Sequence, residues 1–143
     1  MTHAAAHLAN LQVGDRIPEQ TYTPDNVQLM LYNAALWNGH RIHFDEPYTK
    51  NVEGYPGLVI AGPLLGDWLH QTVELWLADA GEIVSIDYSN RAATYIGDTL
   101  TAGGTITACD PGAGTATLEV FIKNQHGEIA APGTIVVRFG AQA

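Results

Sequence analysis

The amino-acid sequence predicts an α+β fold in which an antiparallel sheet wraps around one long central helix. Two observations lead to this prediction. An apolar pattern with helical spacing runs from about Pro63 to Asp79, and the chain after it is divided into alternating segments that are joined by short turns. Strands joined by short turns pair antiparallel, and a largely apolar helix is best buried when such a sheet curls around it.

Composition limits the classes of protein to consider. The chain has 143 residues, a formal charge of −9 and 46% hydrophobic residues, which fits one domain over residues 13–143 behind a flexible N-terminus, residues 1–12. The six Lys and Arg residues are scattered, so we expect neither a nucleic-acid partner nor a membrane surface. No apolar run is long enough to cross a bilayer, and no signal peptide is visible, so we expect a cytoplasmic location.

Cysteine and histidine usage indicates neither disulfides nor a metal. Cys109 is the single cysteine, and we interpret it as a small buried hydrophobic residue. His40, His43 and Asp45 lie close together in sequence. Because metal sites need three or four convergent ligands and no further His or Cys has a helpful spacing, we expect no metal cofactor.

The first half of the chain predicts a strand around Glu19 to Thr23 and two helices. Thr23 is the expected N-cap of the first helix, with Pro24 at its first position. One face of that helix is apolar by spacing and comprises Val27, Met30, Leu31, Ala34 and Ala35. A short helix is expected over Glu46 to Val52, and the Gly- and Pro-rich segment 53–57 is expected to turn.

The second half predicts the long helix followed by strands. The apolar face of the helix comprises Leu64, Leu65, Trp68, Leu69, Thr72, Val73, Trp76 and Leu77, and its polar face comprises Asp67, His70, Gln71 and Glu74. The expected strands are 83–90, 99–108, 115–123 and 134–139.

Residues 36–45 carry a functional motif, LWNGHRIHFD. It resembles the active-site loop of MaoC-like enoyl-CoA hydratases and dehydratases, in which an acidic residue stands five positions before a catalytic histidine. Asn38 takes the acidic position here, and His43 takes the histidine position. The segments 53–59 (EGYPGLV) and 62–64 (GPL) are similar to the type 2 hydroxyacyl-thioester dehydratase branch, which includes mesaconyl-CoA hydratase-like proteins, and YIGDTL at 95–100 agrees with it.

This resemblance covers about Val13 to Phe139 and implies the hot-dog fold. It also implies a hydro-lyase that reversibly hydrates a 2-enoyl-CoA thioester to a 3-hydroxyacyl-CoA, with the CoA thioester as substrate and no separate cofactor. His43 would serve as base and then as acid. Asn38 cannot transfer a proton and would position the water. The N–H of Gly62, at the start of the long helix, would stabilise the oxyanion.

Four further residues are candidates for substrate binding: His40, Arg41, Tyr32 and Tyr55. For His40 and Arg41, the alternative is a role in ordering the loop that carries His43. For the two tyrosines, packing in the core or at the surface is an equally open alternative.

Two other functions stay open at this point. One is an acyl-CoA thioesterase on the same fold, with Asp67 or Glu74 as the carboxylate of the long helix. The other is a partner subunit of a heteromeric hydratase. Pairing would cover an exposed sheet edge, so we expect a homodimer or larger homo-oligomer, with a heteromer as the alternative. The acyl group and the physiological direction are not determined by the sequence.

Overall fold

The computed structural model describes residues 7–140. Five strands form one antiparallel sheet in the order β1-β3-β4-β5-β2. The strands are β1 (Gln20–Tyr22), β2 (Gly81–Tyr88), β3 (Leu100–Asp110), β4 (Thr115–Lys123) and β5 (Ile129–Phe139), and the α-helices are α1 (Asn26–Ala35), α2 (Glu46–Asn51) and α3 (Gly62–Leu77). Short 3₁₀ helices occupy Leu8–Asn10, Arg41–His43 and Ala78–Ala80. The α+β arrangement expected from the sequence is confirmed.

The central helix α3 supplies much of the hydrophobic core. Its buried side chains include Leu65, Leu69, Val73 and Leu77, which pack against inward-facing residues of the sheet. Burying one such aliphatic side chain stabilises the fold by about 1.5–3 kcal/mol. The periodicity therefore identified the buried face correctly.

The ends of α3 differ slightly from the prediction. The helix begins at Gly62, so Pro63 is its second residue, and it ends at Leu77 rather than at Asp79. Ala78 ends it because this residue takes a left-handed conformation, with φ of 48°. The chain then makes a 3₁₀ turn before β2.

Helix α1 has a different cap and a different burial pattern from those expected. Asp25, not Thr23, is the N-cap, and its Oδ1 accepts a hydrogen bond from Gln28 N at 2.7 Å. Leu29 and Asn33 are the buried residues. The prediction that the apolar face is buried is wrong, because all five of its residues are exposed, and Val27, Met30 and Leu31 are each more than half exposed.

The boundaries of β5 and β2 also differ from those predicted from turn residues and alternation. Strand β5 begins at Ile129, ahead of the predicted 134, although Pro132 and Gly133 lie within it. The proline fits because its carbonyl accepts a hydrogen bond from Ser89 N at 3.1 Å, which needs no N–H from Pro132. Strand β2 ends at Tyr88, so Asn90 lies in a loop and not in the predicted strand.

A short ladder outside the main sheet positions the start of α3. Val59 forms an isolated antiparallel bridge with Tyr95. On either side, Ile60 N donates to Thr94 O at 2.8 Å, and Ile96 N donates to Leu58 O at 3.0 Å. This ladder joins the segment that leads into Gly62 to the loop that follows β2.

Of the N-terminal segment expected to be flexible, residues 1–6 lie outside the described residues. Within the remainder, Leu8 and Leu11 pack against the core. Across residues 7–140, none of the helices combines the length and the apolar character that crossing a membrane requires.

Candidate active site

His43 is the buried polar residue around which the site is built. It ends the 3₁₀ turn Arg41–His43 and is 8% exposed. Its Nδ1 lies 2.7 Å from Val59 O. A carbonyl oxygen can only accept a hydrogen bond, so Nδ1 carries the proton and Nε2 of the neutral ring keeps a free lone pair.

Burial lowers the pKa of His43 below its ordinary value of 6.5. The hydrogen bond to Val59 opposes this effect, and the neighbouring His40 adds to it. Burial is the largest cause, because a charged imidazolium loses hydration there. His43 is therefore neutral at pH 7, in the state required of a general base.

Gly62 provides a free backbone donor at the start of α3. As the first helical residue it has no partner for its N–H within the helix. The positive end of the helix dipole lies at this amide, which favours a negatively charged oxygen. His43 and Gly62 line the same cavity, as the sequence motif led us to expect.

The cavity has a volume of about 260 Å³. Most of its walls are apolar, and its polar groups come from few residues. The lining residues are Ile42, His43, Val59, Ile60, Gly62, Leu65, Asn90, Arg91, Ala92, Ala93 and Thr94. The cavity thus combines apolar walls with an imidazole and a free backbone amide, the combination that binds and orients a small ligand.

Asn38 lies outside this lining and is bonded within its own loop. Its Nδ2 donates to Asn33 Oδ1 at 2.8 Å, and its Oδ1 accepts from His40 N at 3.2 Å. Asn33 is itself buried and donates to Leu29 O at 2.8 Å. The loop that carries His43 is thus tied to helix α1 through two side-chain amides.

His40 and Arg41 also lie outside the cavity lining. The His40 ring is 5.8 Å from the His43 ring, centroid to centroid. The guanidinium of Arg41 forms a salt bridge of 2.7 Å with Asp45 and lies 4.0 Å from the centre of the Tyr48 ring. The Arg41 hydrogen bond is the main reason that the pKa of Asp45 is lowered.

The two tyrosines expected in the acyl pocket lie elsewhere. Tyr32 donates to Asp67 Oδ2 at 2.5 Å, and burial raises its pKa, with Asp67 adding to the effect. Tyr55 lies 6.3 Å from Tyr95, centroid to centroid. Substrate-binding roles for these tyrosines, as for His40 and Arg41, stay predictions.

The carboxylates considered for thioester hydrolysis have partners of their own. Asp67 is held by Tyr32. Glu74 faces His70, with 3.5 Å between Oε2 and Nδ1. Neither carboxylate lines the cavity that contains His43. Within residues 7–140, no group of three or more His, Cys, Asp or Glu side chains is arranged to hold a metal ion.

Sequence reasoning missed the loop between β2 and β3, which provides five of the lining residues. Asn90, Arg91 and Thr94 are its polar members. The Thr94 hydroxyl is the one buried side-chain N or O atom in residues 7–140 without a hydrogen-bond partner. The polar run Ser89-Asn90-Arg91 after an alternating segment was the available signal, but Asn90 was assigned to the strand.

The family model described as hydroxyacyl-thioester dehydratase type 2 matches residues 3–96. The chain is also similar to a mesaconyl-C(4)-CoA hydratase of Chloroflexus aurantiacus, with 50% identity over 46 residues. A mitochondrial hydroxyacyl-thioester dehydratase type 2 of Schizosaccharomyces pombe is 39% identical over 51 residues. These matches cover 32% and 34% of this chain but only 16% and 17% of the relatives.

Solved structures share the fold at low sequence identity. An (R)-hydratase from A. caviae involved in PHA biosynthesis superposes with a TM-score of 0.84 at 20% identity, covering 92% of this chain and 98% of that one. A chain of the ChsH1-ChsH2 complex from Mycobacterium tuberculosis gives 0.80 at 21% identity, covering 90% and 98%. These comparisons confirm the hot-dog fold over nearly the whole chain.

Proposed function

The chain belongs to the hydroxyacyl-thioester dehydratase type 2 family, and from this premise we propose that it reversibly hydrates a 2-enoyl-CoA thioester to a 3-hydroxyacyl-CoA. One observation carries the proposal. His43, whose Nδ1–H is bonded to Val59 O so that Nε2 is unprotonated, lines the same cavity as Gly62, the first residue of α3. Hydration needs these two groups, a base for water and a donor for the oxygen that gains charge.

In the proposed reaction, His43 Nε2 takes a proton from water while the water oxygen bonds to the substrate's Cβ. The electrons of the carbon–carbon double bond move toward the thioester, whose oxygen gains negative charge. The imidazolium then returns the proton to Cα. The net change is the addition of one water molecule, and the same steps in reverse dehydrate the product. The Nδ1–H bond to Val59 O keeps the ring in the required tautomer throughout.

Gly62 is the proposed donor to the thioester oxygen. Its N–H has no helical partner and lies where the α3 dipole favours negative charge. For Asn38 we propose a positioning role through the loop, because its hydrogen bonds to Asn33 Oδ1 and from His40 N hold the segment that carries His43. Its expected contact with the attacking water stays a prediction.

The CoA part of the proposed substrate carries phosphates, and the cavity has one cation at its edge. Arg91 lines the cavity, and its Nε donates to Ser89 Oγ at 2.8 Å. Among the six Lys and Arg residues, all within residues 7–140, Arg91 alone has no carboxylate within salt-bridge distance. A cation without a carboxylate partner is available to a phosphate, so we assign Arg91 this contact.

The test is a panel of 2-enoyl-CoA and saturated acyl-CoA thioesters, assayed with wild type and His43→Ala. The wild type should remove the enoyl absorbance reversibly without releasing thiol. His43→Ala should lower kcat/KM by about 10²–10⁴-fold, because it removes the general acid–base group. His70→Ala, on the far part of α3, is the matched control and should retain activity. A His43→Ala variant with near-wild-type hydration would refute the mechanism.

The same panel decides between the alternatives. Thiol release from saturated acyl-CoA would favour a thioesterase, and an inactive but folded chain would favour the partner subunit of a heteromeric hydratase. The A. caviae neighbour is named as a hydratase, and the Mycobacterium neighbour is described as a complex of two different chains. We propose self-association across the exposed edge of β2 for this chain. A cytoplasmic location stays a prediction from the sequence. The S. pombe relative, by contrast, is named as mitochondrial.

A further inference from the structure

We propose that the side-chain amide of Asn90 is a second hydrogen-bond donor to the thioester oxygen, acting beside the N–H of Gly62. This assignment rests on the proposed function. It gives a role to a residue of the β2–β3 loop that the sequence motif does not include, and it is carried by a contact between Asn90 and the first residue of α3.

Asn90 lies directly against Gly62. A Cβ atom on Gly62 would overlap Asn90 Nδ2, and the Asn90 Oδ1 would be farther away, at 3.2 Å. Gly62 does not take a left-handed φ. The site therefore requires glycine here for space rather than for backbone conformation, and the space is filled by the Asn90 amide.

The end of β2 is held in place one helical turn along α3. The ring of Tyr88 packs against Gly66, where a Cβ would overlap it, and the Tyr88 hydroxyl lies 3.4 Å from Gly62 O. Two glycines four residues apart on α3 thus allow Tyr88 and Asn90 to approach the helix closely. Tyr88 fixes the direction from which the β2–β3 loop reaches Gly62.

The Asn90 amide is available to a ligand. Asn90 is an exposed residue that lines the mouth of the cavity containing His43, and its side chain makes no hydrogen bond to any residue in 7–140. The nearby Gly62 N–H is equally free. Two neighbouring N–H donors can both bind one oxygen. Their hydrogen bonds strengthen as negative charge develops on that oxygen, so they stabilise the charged state most.

The experiment compares Asn90→Ala and Asn90→Asp with wild type. Asn90→Asp keeps the size and the acceptor oxygen but removes the N–H donor. Both variants should lower kcat for crotonyl-CoA by about 10²-fold, with a small change in KM, as for removal of one oxyanion donor. Asn51→Ala, at the end of α2, is the matched control. Wild-type kcat in Asn90→Asp would overturn the proposal.

A spectroscopic measurement separates this inference from the proposed function. In a His43→Ala background, which prevents turnover, a bound 2,4-dienoyl-CoA should show a red-shifted absorption band because donors polarise its carbonyl. Adding Asn90→Ala should reduce that shift. An unchanged shift refutes the role of Asn90 even if His43 is essential. A reduced shift supports Asn90 even if His43→Ala proves active, and failure of the dienoyl-CoA to bind would refute both proposals.

Discussion

Two polar segments border the same cavity and use their side chains in opposite ways. In residues 38–45, Asn38 is bonded to Asn33 and to His40 N, and Arg41 is paired with Asp45. In residues 89–94, the buried Thr94 hydroxyl has no hydrogen-bond partner within residues 7–140, and the exposed Asn90 makes no side-chain hydrogen bond to those residues. Polar side chains that hydrogen-bond within the protein stabilise its local conformation, whereas polar side chains without a protein partner can bind a ligand. The first segment therefore orients His43, and the second supplies polar groups to the cavity.

The largest expected effect tests His43, the polar residue of the first segment that lines the cavity. Because burial lowers the pKa of His43, kcat/KM for hydration should be constant through neutral pH. It should fall tenfold per pH unit only below the lowered pKa, which lies under 6.5. The unfolded chain binds the proton more tightly, so the stability contribution of His43 is present above 6.5 and is lost as the pH falls through its folded pKa.

The measurement is a pH profile of kcat/KM together with urea unfolding across the same range. Repeating the profile with His40→Gln, which removes the neighbouring ring, is the control. An acidic limb that begins above pH 6.5 would contradict the assignment of the base to buried, neutral His43.

Asn38→Asp restores the acidic residue of the resembled motif and should nevertheless destabilise this chain. The new carboxylate would face Asn33 Oδ1, and Asn33 cannot turn because its Nδ2 donates to Leu29 O. We expect a loss of about 1 kcal/mol in the free energy of unfolding, because a partly buried hydrogen bond is broken. Asn51→Asp is the control for added charge. Unchanged stability with higher activity would show that the first segment is not held by these amides.

Arg91→Gln should act on binding alone. We expect KM for enoyl-CoA to rise roughly tenfold with kcat unchanged, and the effect to shrink at high salt, because a screened charge pair is lost. Arg138→Gln removes a cation that is already paired with Glu82 and should leave KM unaltered. If Arg91→Gln and Arg138→Gln change KM to the same extent, the proposed contact between Arg91 and the CoA phosphates is wrong.

The smallest expected effect is on stability. Thr94→Val replaces the unpaired, buried hydroxyl by a methyl group of similar size, so the free energy of unfolding should increase by about 1 kcal/mol. Thr94→Ser, which keeps the hydroxyl, should not become more stable. The check is a urea titration of both variants. Destabilisation by Thr94→Val would mean that the hydroxyl has a partner in solution.

Periodicity and turn residues determined the architecture of this protein. The apolar repeat of α3 and the alternating segments after it were sufficient to predict a sheet wrapped around a helix. The motif of residues 36–45 predicted a role for His43, and the start of the long helix predicted one for Gly62, since both signals are local in the chain. The structure shows that the two residues line one cavity, and their catalytic roles stay predictions.

The tertiary structure alone decided which other polar groups face the cavity. Asn38 and Tyr32 have the chemistry of site residues, but Asn33 and Asp67 satisfy them from elsewhere in the fold. Asn90 reaches Gly62 because α3 and β2 pack closely at two glycines. The physical reason is that a polar group's role depends on whether it has a partner, and partners far apart in sequence are brought together only by folding.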